Sequence, residues 1–358
     1  MYLSFYILAV NLGSTSSKIA VYLDEESILN ETIRHPIDEL LKFDKISDQK
    51  EYRENAILEK LTEKGINLNS IDVIATRGGN TKPIPSGIYG LNEKMLNDIM
   101  SEKYGSHPSN LSCLISYNIG ERFHVPVIAI DPPTTDEFCN LARYSGLKEI
   151  PRRSSFHALN QKSTARKIAA RLGKSYDEVN FIVAHIGGGI SIGAHERGKV
   201  IDANNALHGE GPFSAERAGS LPTGYLVEMC FSGKCGEEEI VRLIRNQSGL
   251  ISYLGTSSGL EVVERINHGD KYALEVYEAM AYQISKEISS MAAVLKGNID
   301  GIILTGSFAN SSLLVDFITE RVSFLGPIYL SPGENEMETL RDSALRYLNG
   351  IEELAVYA

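Results

Sequence analysis

Residues 7–25 have the sequence ILAVNLGSTSSKIAVYLDE, in which a turn rich in hydroxyl groups joins two apolar runs. The first run is aliphatic, and Ile19, Val21 and Leu23 alternate along the second, which is typical of a strand with one buried face. The pattern predicts a β-hairpin. Its turn, residues 13–18, could bind an anion, because successive backbone N–H groups, hydroxyl groups and a lysine all favour negative charge.

This turn is not a Walker-type phosphate loop. The pattern GxxxxGK[ST] needs a glycine before the lysine, where this chain has Ser17. A Walker loop also opens a helix, whereas this turn leads into a strand. Taken alone, the segment is either a phosphate-binding hairpin or an ordinary surface hairpin with small turn residues.

The composition limits the classes of protein to consider. The chain has 358 residues, 43% of them apolar, which is enough for one large domain or two medium-sized domains, and two are expected. The net charge of −11 argues against a general nucleic-acid binder, because such proteins need a basic surface. A small anion needs only a few local cations and stays possible.

The location expected from the sequence is the cytoplasm. The four cysteines form no CxxC pair, which favours reduced thiols over a disulfide framework. No apolar run is long enough for a membrane span, so no membrane partner is expected. Residues 1–10 are apolar but lack basic residues and a cleavage site, so we interpret them as a first strand and not as a signal peptide.

Strand and helix patterns alternate along the chain, which favours an α/β architecture. Periodicity and flanking glycines or prolines predict the boundaries. The predicted helices are residues 52–65, 275–297 and 337–354, and the predicted strands include residues 5–10, 71–79 and 125–133.

Residues 180–202 repeat the opening pattern of strand, small-residue turn and strand. Gly187, Gly188 and Gly189 form the turn, and Ile190 and Ile192 alternate after it. Ordering three consecutive glycines costs more conformational entropy than ordering other residues. Their presence therefore suggests that a group without room for a side chain, either a phosphate or a tightly packed neighbour, approaches the main chain here. Because a strand follows, this is not a dinucleotide-binding fingerprint. Two such hairpins suggest two structurally related halves.

A third turn lies in ILTGSFAN, residues 303–310. Gly306 and Ser307 are predicted to lie between a strand and the N-terminus of a helix. Helix N-termini favour anions and polar ligands. The alternative is an ordinary strand-to-helix turn.

Together, the three turns resemble the phosphate-one, phosphate-two and adenosine motifs of the acetate and sugar kinase, heat-shock cognate and actin superfamily. Residues 11–18, NLGSTSSK, resemble the opening motif N-x-G-[ST]-[ST]-[ST]-x-K of the acetokinase family. The segments RSSFHALNQKSTAR (153–166), EGPFSAERAGSLPTG (210–224) and SPGENEMETL (331–340) resemble the butyrate kinase branch of that family. The resemblance covers nearly the whole chain.

The resemblance implies two RNase H-like domains, of the actin-like ATPase type, with an ATP cleft between them. We expect the first domain to comprise residues 1–155 and about 337–358, and the second, nucleotide-binding domain to comprise residues 156–336. Members of the family are commonly homodimers or higher homo-oligomers, and we expect the same here.

The implied reaction is reversible transfer of a phosphoryl group between ATP and a short-chain or branched carboxylate, with Mg²⁺ as cofactor. A carboxylate is already ionised at neutral pH, so no strong general base is needed. Cations must instead bring one anion up to another and stabilise the charge in flight. The alternatives are an acetate or propionate kinase with a smaller pocket, and an ATPase switch similar to actin.

Four residues match catalytic positions of the family. Arg217 would stabilise the transferring phosphoryl group, for which a planar guanidinium suits better than an ammonium. His157 would donate a hydrogen bond to that group. Arg77 would contact the substrate or the phosphoryl group, and Asp131, at the end of a strand, would orient the substrate or the Mg²⁺ shell. The alternatives are structural: a salt bridge, a packed histidine, a surface arginine and a turn cap.

The remaining matches concern the nucleotide and the metal. Glu336 matches the family's magnesium-linked glutamate, although the alignment could slip to Glu334 or Glu338. The spacing HExxH is absent, which argues against a zinc hydrolase. The residues that the resemblance assigns to nucleotide binding are Asn11, Ser14, Ser16, Lys18, His185, Gly187, Gly188, Gly189, Gly306 and Asn310.

Overall fold

The computed structural model describes residues 4–105 and 108–358. The chain folds into two compact units. The first unit is Met1–Thr135 together with Asn335–Ala358, and the second is Asp136–Glu334. Residues 136–155 therefore belong to the second compact unit, whereas the sequence-based domain boundary was placed after residue 155. That boundary stays a prediction.

The first unit is a sheet with helices on both sides. Its strands are β1 (Tyr6–Leu12), β2 (Ser16–Leu23), β3 (Glu26–Arg34), β4 (Val73–Arg77), β5 (Ile88–Gly90) and β6 (Val127–Ile130). Its helices are α1 (Ile37–Leu40), α2 (Lys50–Glu63), α3 (Glu93–Met100), α4 (Pro108–Phe123) and α12 (Glu336–Leu348), the last numbered by its place in the chain.

The six-stranded sheet of this unit has the order β3-β2-β1-β4-β6-β5. Strands β1, β2 and β3 are antiparallel neighbours, whereas β4 and β6 run parallel to β1. Because the carboxyl ends of parallel strands meet at one edge, the turn after β1 and the residues that follow β4 and β6 lie at the same edge. This edge carries Asn11, Arg77 and Asp131.

Burial on both faces holds the first sheet in place. Leu8 and Val10 of β1 pack with Ile57 of α2 and Ile115 of α4, and all four are fully buried. Helix α12, which comes from the far end of the sequence, contacts β1 and β4. Each buried aliphatic side chain contributes roughly 1.5–3 kcal/mol relative to an exposed one.

The second unit contains the remaining elements within the described residues. Its strands are β7 (Asn180–Ile186), β8 (Ile190–Glu196), β9 (Lys199–Ala203), β10 (Gly301–Gly306) and β11 (Ile328–Pro332). Its helices are α5 (Ala158–Arg171), α6 (Thr223–Phe231), α7 (Glu237–Asn246), α8 (Leu250–Leu254), α9 (Gly259–Asn267), α10 (Lys271–Val294) and α11 (Ser312–Val322).

The second sheet repeats the topology of the first. Its order is β11-β10-β7-β8-β9, with β7, β8 and β9 antiparallel and with β10 and β11 parallel to β7. The first sheet has the same arrangement in β3-β2-β1-β4-β6. The two halves that the repeated hairpins suggested are thus alike in strand order and strand direction.

Strand β7 is buried on both faces, which explains the unbroken apolar run at residues 181–184. Ile182 and Ala184 face the cluster that contains Tyr277 of α10. Phe181 and Val183 face the opposite cluster, which contains Ile168 of α5. A strand covered on both sides shows no alternation of polar and apolar residues.

The predicted C-terminal end of the last helix was wrong. Helix α12 ends at Leu348, and Gly350 follows with φ of +69°, so the helix does not reach residue 354. The predicted order of strand, tight turn and helix around Gly306 and Ser307 is confirmed, with a 3₁₀ turn at Ser307–Asn310 before α11 begins at Ser312. Among the described residues, no helix is both long and apolar enough to cross a membrane.

Candidate active site

A fully buried arginine supports the first hairpin turn. From α2, the guanidinium of Arg53 donates to the backbone oxygens of Gly13 at 2.9 Å, Ser14 at 2.5 Å and Ser16 at 3.3 Å. Its Nε donates to Gln49 Oε1 at 3.0 Å. Since the carbonyl of one residue and the N–H of the next point in opposite directions across a trans peptide, the N–H groups of the turn point away from Arg53.

Sequence reasoning missed Arg53, although a signal was present. Arg53, Ile57 and Leu61 are the buried residues of α2 and follow each other at four-residue spacing. An arginine on the apolar stripe of a helix is unusual, because a buried charge needs several hydrogen-bond partners. The carbonyl oxygens of the hairpin turn supply them.

The residues of the first turn that are predicted to bind the nucleotide are at least partly exposed. Ser14 is exposed, and Ser16 and Lys18 are partly exposed on β2. Ser17 points inwards instead, where its hydroxyl lies 2.8 Å from Nε2 of buried His35. Burial and then the charge of Arg53 lower the pKa of His35 to about 4, so this histidine is neutral at pH 7.

Three predicted residues of the first unit meet in one cluster. Asn11, near the end of β1, donates through Nδ2 to Glu336 Oε2, and Nη1 of Arg77 lies 3.2 Å from Glu336 Oε1. Glu336 is the first residue of α12. The tertiary fold therefore brings together positions 11, 77 and 336, which lie far apart in the sequence.

This cluster contains buried polar atoms that lack a partner among the described residues. Oδ1 of Asn11 and Nε of Arg77 are buried without a hydrogen bond. Such atoms are uncommon in folded proteins and point to a missing ligand or water. Amide and carboxylate oxygens are ligands that Mg²⁺ accepts, and it uses few of them because it retains waters. Asn11 and Glu336 therefore have suitable chemistry for a magnesium ion.

Asp131 follows β6 in a left-handed backbone conformation, with φ of +37°, and is 3% exposed. Its Oδ1 accepts hydrogen bonds from Ser86 Oγ at 2.5 Å and from Gly87 N at 3.0 Å. A Cβ added to Gly78 would lie 2.6 Å from Cβ of Pro132, so the chain after Arg77 passes directly against the chain after Asp131. Through its hydrogen bonds to Ser86 and Gly87, Asp131 fixes the loop at residues 86–87.

Two predicted histidines stack in the second unit. The rings of His157 and His185 are 3.8 Å apart between centroids and are inclined by 14°. Nδ1 of His157 lies 2.7 Å from Ser191 Oγ, and Nδ1 of His185 lies 2.8 Å from Asn160 Oδ1. His157 immediately precedes α5, and His185 lies near the end of β7.

Arg217 lies across the triple-glycine turn. A Cβ added to Gly189 would come within 2.2 Å of Arg217 Nη1, so only glycine leaves room for the guanidinium. Nη1 also donates to Ala206 O at 2.8 Å, and the backbone N of Arg217 donates to Ser214 Oγ at 3.0 Å. Ser214 in turn donates to Gly188 O at 2.5 Å.

This contact answers why a glycine is required at the third position of the turn. The side chain of Arg217 approaches the main chain there. Gly187 lies near His185, since a Cβ at Gly187 would be 3.1 Å from its Nε2. Burial lowers the pKa of Arg217, which nevertheless stays a cation because the pKa of arginine is normally above 12.

The third turn is shaped by packing against β7. Gly306 has φ of +87°, and a Cβ there would be 2.4 Å from Ile186 O. Asn310 is exposed and donates from Nδ2 to Ser307 O at 2.9 Å within the 3₁₀ turn. Packing against β7 explains Gly306, and a hydrogen bond within the 3₁₀ turn explains Asn310. Their nucleotide contacts stay predictions.

The model of the acetokinase family matches residues 141–345. Butyrate kinase 2 of Clostridium acetobutylicum is 48% identical over 355 residues, which are 99% of this chain and 100% of that protein. The chain belongs to the acetokinase family. The family resemblance stated from the sequence motifs is confirmed.

Solved acetokinase structures have the same fold. Acetate kinase from Porphyromonas gingivalis superposes with a TM-score of 0.78 at 17% identity, covering 95% of this chain and 99% of that one. A propionate kinase from Francisella tularensis gives 0.74 at 19% identity, with 95% and 98% covered. The predicted α/β fold with two actin-like ATPase-type domains is confirmed.

Proposed function

We propose that this protein is a butyrate kinase, which transfers the γ-phosphoryl group of ATP reversibly to butyrate or isobutyrate. The observation that carries the proposal is the 48% identity to butyrate kinase 2 along 99% of the chain. We assign the transfer to the clusters at Asn11–Arg77–Glu336 and at His157–His185, together with Arg217.

The transfer needs no proton. One carboxylate oxygen attacks the γ-phosphorus and forms a new O–P bond, while the bond to the β–γ bridging oxygen breaks and its electron pair leaves with ADP. The products are an acyl phosphate and ADP. The protein therefore contributes by positioning two anions and by stabilising the charge on the equatorial oxygens during the transfer.

We assign this stabilisation to Arg217, His157 and His185. The Arg217 guanidinium is held on two sides, by Ala206 O and by the main chain of Gly189, so little reorganisation is needed when charge develops. His157 is assigned as a hydrogen-bond donor to the moving phosphoryl group, and His185 as a contact of the ATP phosphates.

Residues of the first unit are assigned to the carboxylate and the metal. Arg77 would pair with the carboxylate or the phosphoryl group, and Asp131 would orient this part of the site. Asn11 and Glu336 would hold Mg²⁺, directly or through water. When bound, Mg²⁺ supplies charge that offsets the repulsion between phosphate oxygens.

The residues assigned to the nucleotide share small size or hydrogen-bonding capacity. In the first turn, the buried charge of Arg53 adds to that of Lys18 and favours phosphate. The set is Ser14, Ser16, Lys18, Gly187, Gly188, Gly189, Gly306 and Asn310.

Substrate specificity tests the proposal. Acyl phosphate is trapped with hydroxylamine for acetate, propionate, butyrate and isobutyrate. Each buried methylene contributes roughly 0.8 kcal/mol, so butyrate should exceed acetate about 15-fold in kcat/KM. Higher turnover with acetate or propionate would instead make the protein an acetate or propionate kinase. ATP hydrolysis without stimulation by any acid would indicate an ATPase switch.

We also propose a cytoplasmic homodimer. All four cysteines are free, and Cys230 is exposed, which suits a reducing compartment. Helix α6 has no buried residue, and it exposes Tyr225, Val227 and Phe231 by 72%, 49% and 87%. Exposed apolar groups of this kind favour contact with a second copy. Light scattering that gives a monomer mass would contradict the dimer.

A further inference from the structure

A chain of hydrogen bonds in the second unit ends at His157. Tyr176 Oη lies 2.7 Å from Nδ1 of His195, and Nε2 of His195 lies 3.0 Å from Gln161 Oε1. Nε2 of Gln161 lies 2.8 Å from Ser191 Oγ, which lies 2.7 Å from Nδ1 of His157. Gln161, Ser191 and His195 are fully buried, so water does not compete with this chain.

The direction of the chain follows from a backbone carbonyl. Gln161 Nε2 also lies 2.9 Å from the main-chain oxygen of Ser191. A carbonyl oxygen only accepts hydrogen bonds, so the NH₂ side of the Gln161 amide must face Ser191. The oxygen side then faces His195, whose Nε2 must carry a proton.

The remaining nitrogen of His195 is an acceptor. Burial, followed by the charges of Lys162 and Arg166, lowers the pKa of His195 well below its usual value, so the ring is neutral. Nδ1 therefore has a lone pair and accepts a hydrogen bond from the Tyr176 hydroxyl. Every donor from Tyr176 to Gln161 thus points towards Ser191.

Ser191 passes this direction on to His157. Its Oγ accepts from Gln161 Nε2 at 2.8 Å and from the backbone N of His157 at 3.2 Å. A hydroxyl oxygen has two lone pairs and one proton, so its proton is directed to Nδ1 of His157. The proton of the neutral His157 ring then lies on Nε2. If His157 were an imidazolium, its Nδ1–H would be a third donor to Ser191 Oγ, whose two lone pairs are already occupied.

The stacked His185 has the opposite arrangement. Asn160 Nδ2 donates to the carbonyl oxygens of Gly333 at 3.3 Å and Glu334 at 2.9 Å, so its Oδ1 must accept from Nδ1 of His185. Nδ1 of His185 therefore carries a proton, and protonation of the ring would leave its bond to Asn160 intact. The two stacked imidazoles differ in the charge state that their surroundings permit.

We propose that Ser191 is a positioning residue that fixes His157 as the neutral Nε2–H tautomer, with Gln161 and His195 fixing Ser191 in turn. His157 then offers a single N–H donor to the phosphoryl group, while charge is left to Arg217 and His185. The consequence for catalysis rests on the proposed role of His157 in the butyrate kinase reaction, but the tautomer itself does not.

Long-range ¹H–¹⁵N NMR of the full-length protein at pH 7 tests the tautomer directly, with His157→Asn used to assign the signals. We expect a protonated Nε2 and an unprotonated Nδ1 at His157. In Ser191→Ala, both tautomers of His157 should appear. The value of kcat should fall roughly 10-fold to 100-fold, which does not exceed the ~10²–10³-fold loss caused by removing a transition-state donor. Tyr176→Phe, at the far end of the hydrogen-bond chain, should give a smaller change in the tautomer ratio and in kcat, in the same direction.

Ser285→Ala is the matched control, since Ser285 is also buried and its hydroxyl donates at 2.8 Å to Ala281 O within α10. It should change neither the His157 signals nor kcat. A proton on Nδ1 of His157 in the wild type, or one tautomer retained in both Ser191→Ala and Tyr176→Phe, would overturn the proposal. If the tautomer is as expected but His157→Asn leaves kcat unchanged, the catalytic role of His157 fails instead.

Discussion

Arg217 lies so close to the main chain of Gly189 that a methyl group there would come within 2.2 Å of its Nη1. Strands β8 and β9 and a loop with Ser214 lie between the glycine and the arginine in the sequence. The Ser214 hydroxyl donates to Gly188 O in the turn and accepts from the backbone N of Arg217. The position of the guanidinium therefore depends on the absence of a side chain 28 residues earlier in the sequence.

The first prediction concerns Gly189→Ala. The added methyl must displace the guanidinium, so kcat should fall about 10²-fold or more, as when a transition-state donor is removed. Acyl phosphate trapping measures the loss. Gly146→Ala is the control, because no atom lies within 4 Å of its added Cβ. Normal turnover in Gly189→Ala would contradict the role of Arg217.

The second prediction concerns Arg53→Lys. Lysine keeps the charge but cannot reproduce the fork that binds the oxygens of Gly13, Ser14 and Ser16. The turn should lose its fixed shape, and KM for ATP should rise roughly tenfold. Initial rates at varied ATP measure this. Arg265→Lys, which alters an arginine bound to Asp270 and Leu254 O, should leave KM unchanged. If Arg53→Lys lowers the thermal stability but leaves KM for ATP unchanged, the role of Arg53 is purely structural.

The third prediction concerns stability below neutral pH. The pKa of His35 falls from 6.5 in the unfolded chain to about 4 in the fold, so the unfolded state binds the extra proton between these values. The free energy of unfolding should therefore decrease as the pH falls from about 6.5 towards 4. Urea unfolding of wild type and His35→Gln measures the effect.

The comparison with His35→Gln is needed because His195, whose pKa is also lowered, acts in the same direction. The variant should lose less stability than the wild type over this pH range. Parallel curves for the two proteins would show that His35 does not contribute.

The fourth prediction concerns the C-terminal residues. Tyr357 is 2% exposed, donates to Asp98 Oδ2 at 2.7 Å and accepts from Lys82 N at 3.2 Å. Tyr357→Phe should lower the free energy of unfolding by roughly 1–2 kcal/mol, because both hydrogen bonds are lost from a buried position. Tyr144→Phe, at a residue that is 77% exposed, should have no measurable effect on urea unfolding. Equal midpoints for the two variants would contradict this account.

Several elements could be predicted from local pattern alone. The first hairpin, helix α2 and helix α10 have clear periodicity, and their ends are marked by Gly65 and Gly297, both with positive φ. Strands β3 and β9, which complete the antiparallel part of each sheet, were not predicted. Both are partly exposed edge strands. Strand β3 is mostly polar and β9 has only five residues, so periodicity gives little signal.

The sequence by itself determined the two hairpin turns, the α/β class and the acetokinase motifs, because each depends on residues that are close together in the chain. Tertiary structure alone decided which side chains support those turns. Arg53 contacts a turn 39 residues away, His157 contacts Ser191 34 residues away, and Glu336 contacts Asn11 325 residues away. Such contacts depend on the register and packing of whole sheets and helices, which no short stretch of sequence specifies.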